Sequence, residues 1–161
     1  DDLPALGAKF AFLGSGQGWI EGALERAAAA HPDCIRFFKG YDEPLSHLLY
    51  AGGSIFLMPS VFEPCGLSQM IAMRYGTIPV VREVGGLKDT VTDADSPEGG
   101  DGFTFLTCDA KGMLWALHRA VARFRDQPSW QLIVERAMRR DFTWTRSAEL
   151  YKALYQETAR R

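Results

Sequence analysis

The sequence predicts an α/β fold: an open, doubly wound parallel sheet with a run of C-terminal helices over about residues 111–161. Short apolar runs alternate with stretches of helical spacing, the pattern of successive βα units. The clearest runs, such as Ser54-Ile-Phe-Leu-Met58, are continuously apolar rather than alternating. Continuous runs suit parallel strands covered on both faces. Glycine or proline stands at most of the junctions, where the chain must turn.

Lys9-Phe-Ala-Phe-Leu13 reads as the first strand, broken by Gly14-Ser-Gly-Gln-Gly18. An Ala-rich helix over Trp19 to Ala30 ends at His31-Pro32, and Ile35-Arg-Phe-Phe38 is the next strand, stopped by Gly40. Leu45, Leu48 and Leu49 have helical spacing and follow Pro44, a favoured starting residue. The strand Ser54–Met58 ends at Pro59, and residues 60–66 form a loop. Leu67, Met70, Ile71 and Tyr75 share one helical face, which Gly76 terminates. Ile78-Pro-Val-Val81 is the fourth strand, followed by Gly85-Gly86 and a short helix from Leu87. A loop at Gly99-Gly-Asp-Gly102 precedes Phe103-Thr-Phe-Leu106. Helical stretches at about 111–125, 129–140 and 147–160 close the chain.

The 161 residues fit one domain with its own core. Hydrophobic residues at 47% and charged residues at 24% exclude disordered and collagen-like classes. A net charge of −2 gives no electrostatic reason to expect nucleic acid or an anionic membrane as a partner. No apolar run reaches the roughly 20 residues of a membrane helix. Cys34, Cys65 and Cys108 stand far apart without metal-ligand spacing, which reads as reduced thiols.

Several patterns could carry chemistry. Gly14-Ser-Gly-Gln-Gly18 lies between strand and helix, where Gly14 and Gly16 could bring backbone N–H groups to a nucleotide. Trp19 occupies the third glycine position of a dinucleotide fingerprint, which removes the dehydrogenase reading, and a structural turn accounts for the loop equally well. Asp93-Ala-Asp95 has the form of a cation-binding DxD, but its polar surroundings favour a solvated loop, and no metal is assigned. His31, His47 and His118 are scattered and lie in no nucleophile signature.

Pro59-Ser-Val-Phe-Glu-Pro-Cys-Gly-Leu-Ser-Gln69 is the informative segment. Ligands of open parallel sheets bind outside the carboxyl ends of the strands. There the loop presents Glu63, able to accept hydrogen bonds from sugar hydroxyls, and Gly66 turns the chain into a helix start with Ser68 in its first turn. Free N–H groups at such a start suit a diphosphate. Singly, each residue is explained by a surface acid or a helix cap; together they favour a nucleotide-sugar site. Gly85-Gly86 repeats the device after the next strand, with a tight turn as the even alternative.

Phe62-Glu-Pro-Cys-Gly-Leu-Ser-Gln69, Ala72-Met-Arg-Tyr-Gly-Thr-Ile-Pro79 and Gly85-Gly-Leu-Lys-Asp-Thr-Val91 resemble glycogen and starch synthases. Gly40-Tyr-Asp-Glu43, Gly102-Phe-Thr-Phe105 and Asp141-Phe-Thr-Trp144 follow in the family's order, so the resemblance spans nearly the whole chain. The wording around residues 69–76 is most similar to starch synthase classes III and IV. The resemblance implies a GT-B enzyme with two Rossmann-like domains that transfers glucose from ADP-glucose to the non-reducing end of an α-1,4-glucan, with retention and without metal or other cofactor. It implies that residues 1–161 are an incomplete C-terminal nucleotide-sugar-binding domain. Glu63 would bind glucose hydroxyls, Cys65, Gly66 and Leu67 would line sugar and phosphate, Ser68 would touch the diphosphate, and Tyr41 would stack on adenine.

Some features depart from the family. Ile71 stands where many retaining GT-B enzymes carry a second Glu, and Val84 replaces a usual Thr. Nothing matches the Lys-x-Gly-Gly-Leu motif or the cationic residues of the donor domain's first βα unit. The expectation is therefore a fragment starting after that unit, inactive alone, whose glucan acceptor is met by an absent N-terminal domain. The compartment would be the plastid stroma for a plant or algal source and otherwise the bacterial cytoplasm. Another retaining GT-B transferase, similar to sucrose synthase or a mannosyltransferase, is the alternative enzyme. A non-catalytic module binding glucan or a partner is the alternative outside catalysis.

Overall fold

A computed structural model describes residues 2–160 as parallel β-strands alternating with helices. The strands are β1 (Phe10–Gly14), β2 (Ile35–Lys39), β3 (Ile55–Met58), β4 (Ile78–Arg82) and β5 (Phe103–Phe105). The α-helices are α1 (Gly18–Ala30), α2 (Glu43–Gly52), α3 (Ser68–Arg74), α4 (Gly86–Thr90), α5 (Ala110–Arg125), α6 (Gln127–Arg139) and α7 (Trp144–Ala159). Helix α2 starts at Glu43, earlier than the leucine spacing alone suggests, because Asp42 caps it. Its Oδ1 accepts the Leu45 N–H at 2.9 Å, a cap that contributes about 1 kcal/mol. Asp109 does the same for α5, accepting the Gly112 N–H at 2.7 Å.

The expected parallel, doubly wound sheet is present, but in two pieces rather than one continuous sheet. It is divided into β1-β2 and β3-β4-β5, both parallel. These pieces correspond to the 3-2 and 4-5-6 portions of the doubly wound order 3-2-1-4-5-6. The strand that would join them is not among the described residues, so β1 and β3 each keep one unpaired edge.

The core sits on the three-stranded piece. Ile78, Val80, Val81, Phe103 and Leu87 are fully buried, with Met73 of α3, Ala116 and Leu117 of α5, and Trp130 and Ile133 of α6 packed around them. Phe103 stacks on Trp130 with ring centroids 6.4 Å apart, and Phe124 meets the same indole edge-on at 5.3 Å. The expected helical tail therefore divides. Helices α5 and α6 belong to the core layer, whereas α7 buries no residue and leaves Leu150, Tyr151, Leu154 and Tyr155 exposed.

Candidate functional site

After β3, Pro59 ends the strand and residues 59–67 run without regular structure to α3. Arg82, the last residue of β4, holds the first part of this loop by donating from Nη1 to the carbonyls of Ser60 (3.0 Å) and Val61 (2.8 Å). Glu63 follows, half-buried, with Pro64 and Cys65 exposed. Gly66 adopts φ +73°, a left-handed turn that an L side chain rarely takes. Leu67 then stands at the N-cap of α3 without a side-chain cap, and Ser68 opens the helix. The helix has only seven residues, so it offers uncapped N–H groups rather than a long dipole.

The Gly85-Gly86 turn lies directly against this loop. The Gly86 N–H donates to the Glu63 carbonyl at 3.1 Å. A Cβ at Gly85 would overlap the Glu63 carbonyl oxygen, and one at Gly86 would overlap that of Cys65. Both collisions are with backbone, which cannot swing aside. The glycines at these positions are thus explained by contact between two loops of the protein itself. Glu63, Cys65, Gly66, Gly85 and Gly86 are brought together, with Leu67 and Ser68 adjoining along the chain.

Gly14, Gly16 and Tyr41 form a second group, at the carboxyl ends of β1 and β2. The Gly40 N–H donates to the Gly14 carbonyl at 2.9 Å, which ties these strand ends together. The Gly16 N–H donates to Glu21 Oε1 at 2.8 Å, so Glu21 occupies the donor that a ligand would seek. That hydrogen bond first, and then Lys39, whose Nζ lies 2.9 Å from the carboxylate, hold the Glu21 carboxyl below its ordinary value. Tyr41 is 87% exposed, its ring free to receive a flat partner. Each group follows the carboxyl end of its strands, but no hydrogen bond or ion pair joins the two among the described residues.

The Asp93-Ala-Asp95 segment is engaged in structure rather than solvated freely. Asp93 accepts the Thr104 N–H at 2.8 Å and pairs with Arg119 at 2.5 Å, while Asp95 pairs with Arg119 and Arg123, both at 2.6 Å. Burial pushes the Asp93 carboxyl up, but the Arg119 guanidinium and the N–H groups of Asp95 and Thr104 together bring it below its ordinary value. His47 Nδ1 lies 2.9 Å from the Tyr75 hydroxyl, in an aromatic group with Tyr50.

Two residues given no role by sequence reasoning stand out. Gln69 is fully buried beneath Gly66, and Thr90 at the end of α4 meets its amide at 3.0 Å. A polar residue three positions after a left-handed glycine was the available signal, since that spacing returns one helical turn onto the loop.

The family described as "Glycosyl transferases group 1" matches residues 2–123. A glycogen synthase of Desulfitobacterium hafniense is 49% identical over 97% of this chain and 34% of its own length. One from Anaeromyxobacter dehalogenans is 50% identical over 98% of this chain, again 34% of its own length. The solved catalytic domain of starch synthase IV from Arabidopsis thaliana, bound to ADP and acarbose, superposes with a TM-score of 0.87 at 42% identity, over 98% of this chain and 34% of that one. The chain thus spans about a third of the length of the relatives it matches.

Proposed function

The chain belongs to the group 1 glycosyl transferases, and from that premise we propose that it is the donor-binding part of a glycogen or starch synthase. The observation that carries the reading is the 42% identical, 98% coverage match to a starch synthase catalytic domain holding ADP. In this reading ADP-glucose is the donor, and an α-1,4-glucan acceptor is bound by the rest of the polypeptide. Tyr41 stacks on adenine, and Gly14 and Gly16, which have open space beside them, leave room for the nucleotide while Glu21 holds the Gly16 N–H. Ser68 and the uncapped N–H groups of α3 meet the diphosphate. Glu63 accepts from glucose hydroxyls, with Cys65, Gly66 and Leu67 lining the sugar and Gly85-Gly86 fixing that lining from behind.

The chemistry needs no enzymic nucleophile and no metal cofactor. The bond from the glucosyl anomeric carbon to the departing phosphate oxygen breaks as the bond to the acceptor hydroxyl oxygen forms on the same face. The hydroxyl proton passes to the leaving phosphate, whose developing charge the helix start stabilises. The setting would be the bacterial cytoplasm, or starch synthesis in the plastid stroma if the source is plant or algal. Among the described residues no helix is long and apolar enough to cross a membrane.

Transfer of labelled glucose to glycogen by the full-length polypeptide tests this. ADP-glucose should be the preferred donor, and Glu63→Gln should lower kcat by about 10²- to 10³-fold, the cost of one lost transition-state contact. The 161-residue chain alone should transfer none. Preference for a UDP- or GDP-sugar, or an unimpaired Glu63→Gln enzyme, would contradict the reading.

A further inference from the structure

We propose that Gln69 is the positioning residue for the Glu63 loop, acting through a hydrogen-bond ring closed by Thr90 and Gly86. The inference rests on the donor-binding reading for its purpose, but its geometry stands independently. Gln69 Nε2 donates to the Gly66 carbonyl at 2.9 Å and to Thr90 Oγ1 at 3.0 Å. The Thr90 hydroxyl passes its own proton to the Gly86 carbonyl at 2.6 Å, and the Gly86 N–H returns to the Glu63 carbonyl at 3.1 Å. The backbone from Glu63 to Gly66 completes the circuit. The protons suffice for the ring: the amide has two to give, the hydroxyl one and the backbone one, and longer contacts at 3.5 Å run from the amide to the Cys65 carbonyl and from the hydroxyl to that of Leu87.

The amide orientation follows from the neighbours. Turned over, Oε1 would face the Gly66 carbonyl, two acceptors with no proton between them. As it stands, Gln69 Oε1 is buried without a partner among the described residues. An unpaired buried acceptor costs stability, so stability alone would place an apolar side chain here. The donor end of the amide is what the site retains it for. It reaches both margins of the Glu63 loop at once: Gly66 directly, and Glu63 through Thr90 and Gly86. The close fit agrees, because a Cβ on Gly66 would come within 2.6 Å of Gln69 Oε1. Residues 59–67 have no regular structure, so the ring, together with Arg82, sets where the Glu63 carboxylate points.

The test compares Gln69→Met and Thr90→Val, which remove the donors at similar volume, with Thr90→Ser, which keeps the hydroxyl. In the 161-residue chain, hydrogen exchange at the Gly86 amide should quicken about tenfold in the first two and not in the third. The core-strand amide of Val81 should stay as in the unaltered chain. The ratio of ADP-glucose to ADP affinity should fall in the same two variants while ADP affinity holds, which general loosening of the fold would not produce. Unchanged Gly86 exchange, or Gly86 and Val81 quickened alike, would overturn the proposal. A chain binding neither nucleotide would contradict the donor reading and the ring's purpose, while the exchange result would still decide whether the ring holds the loop.

Discussion

The β3–β4–β5 piece and the β1–β2 piece are built from the same βα units yet differ sharply in burial. In β4 the first four residues are buried and in β5 all three are, whereas β1 has none and β2 only Ile35. Helices α3, α5 and α6 each bury side chains; α1 and α2 bury none. The cause is topological. Strand β4 has a neighbour on each side and α3, α5 and α6 packed on it, and β5, though at an edge, is covered by α5, whereas β1 and β3 each have an unpaired edge and bury no residue. The contrast teaches where the loop that carries Glu63 finds its rigidity. Glu63 and its supporting glycines sit on the sealed piece, and the stacking candidate Tyr41 sits on the open one.

Glycine substitutions should expose this contrast most strongly. Gly86→Ala forces a Cβ into the Cys65 carbonyl and should cost more than about 4 kcal/mol or prevent folding. Gly16→Ala meets nothing within 4 Å and should change stability by no more than about 0.5 kcal/mol. Urea midpoints would show it, and equal shifts would remove the distinction. Aromatic truncations come next. Phe103→Ala, fully buried against Trp130, should lose about 3–5 kcal/mol. Phe38→Ala, 39% exposed in β2, should lose about 1 kcal/mol.

Acid titration sharpens the sealed side further. The Asp93 carboxyl is depressed in the fold, so its contribution is present above the unfolded value near ~3.9 and is lost as pH falls through the folded value. Asp93→Asn should cost about 1–3 kcal/mol at pH 7 and flatten unfolding below pH ~4. Asp101 runs the other way. Burial first raises its carboxyl, against the Thr92 N–H and Arg140, so its contribution is full below the unfolded value and is lost as pH rises through the folded one. The smallest effect belongs to the rim: Asp95→Ala removes two pairs, with Arg119 and Arg123, from an acid 42% exposed, together worth about 1 kcal/mol and screened by salt. An Asp95 effect as large as that of Asp93 would show that exposure does not grade these contacts.

Much of this was legible in the sequence because local rules and tertiary structure agree. Ile55–Met58 and Ile78–Arg82 are strands where apolar runs stand at 54–58 and 78–81, and Gly66 and Gly76 make the turns expected of them, both with positive φ. The family followed from Phe62–Gln69, since that wording is specific. The division of the sheet was not legible, because strand pairing depends on partners far apart in sequence. Nor was the role of Gly85 and Gly86. A glycine pair reads the same whether it approaches a phosphate or another loop, and only the overlap with Glu63 and Cys65 distinguishes them. Gln69 was hidden for a related reason: one partner, Gly66, is local, but the other, Thr90, comes from beyond β4.

The most direct test of the account is a residue-resolved NMR titration of this chain with ADP and then ADP-glucose. ADP should shift Tyr41, Gly14, Gly16 and Ser68, joining the two pieces in one site. The further change with ADP-glucose should fall on residues 63–67 and 85–86 of the sealed piece. Glucose-dependent shifts confined to the β1–β2 piece, or no response from the Glu63 loop to either ligand, would contradict it.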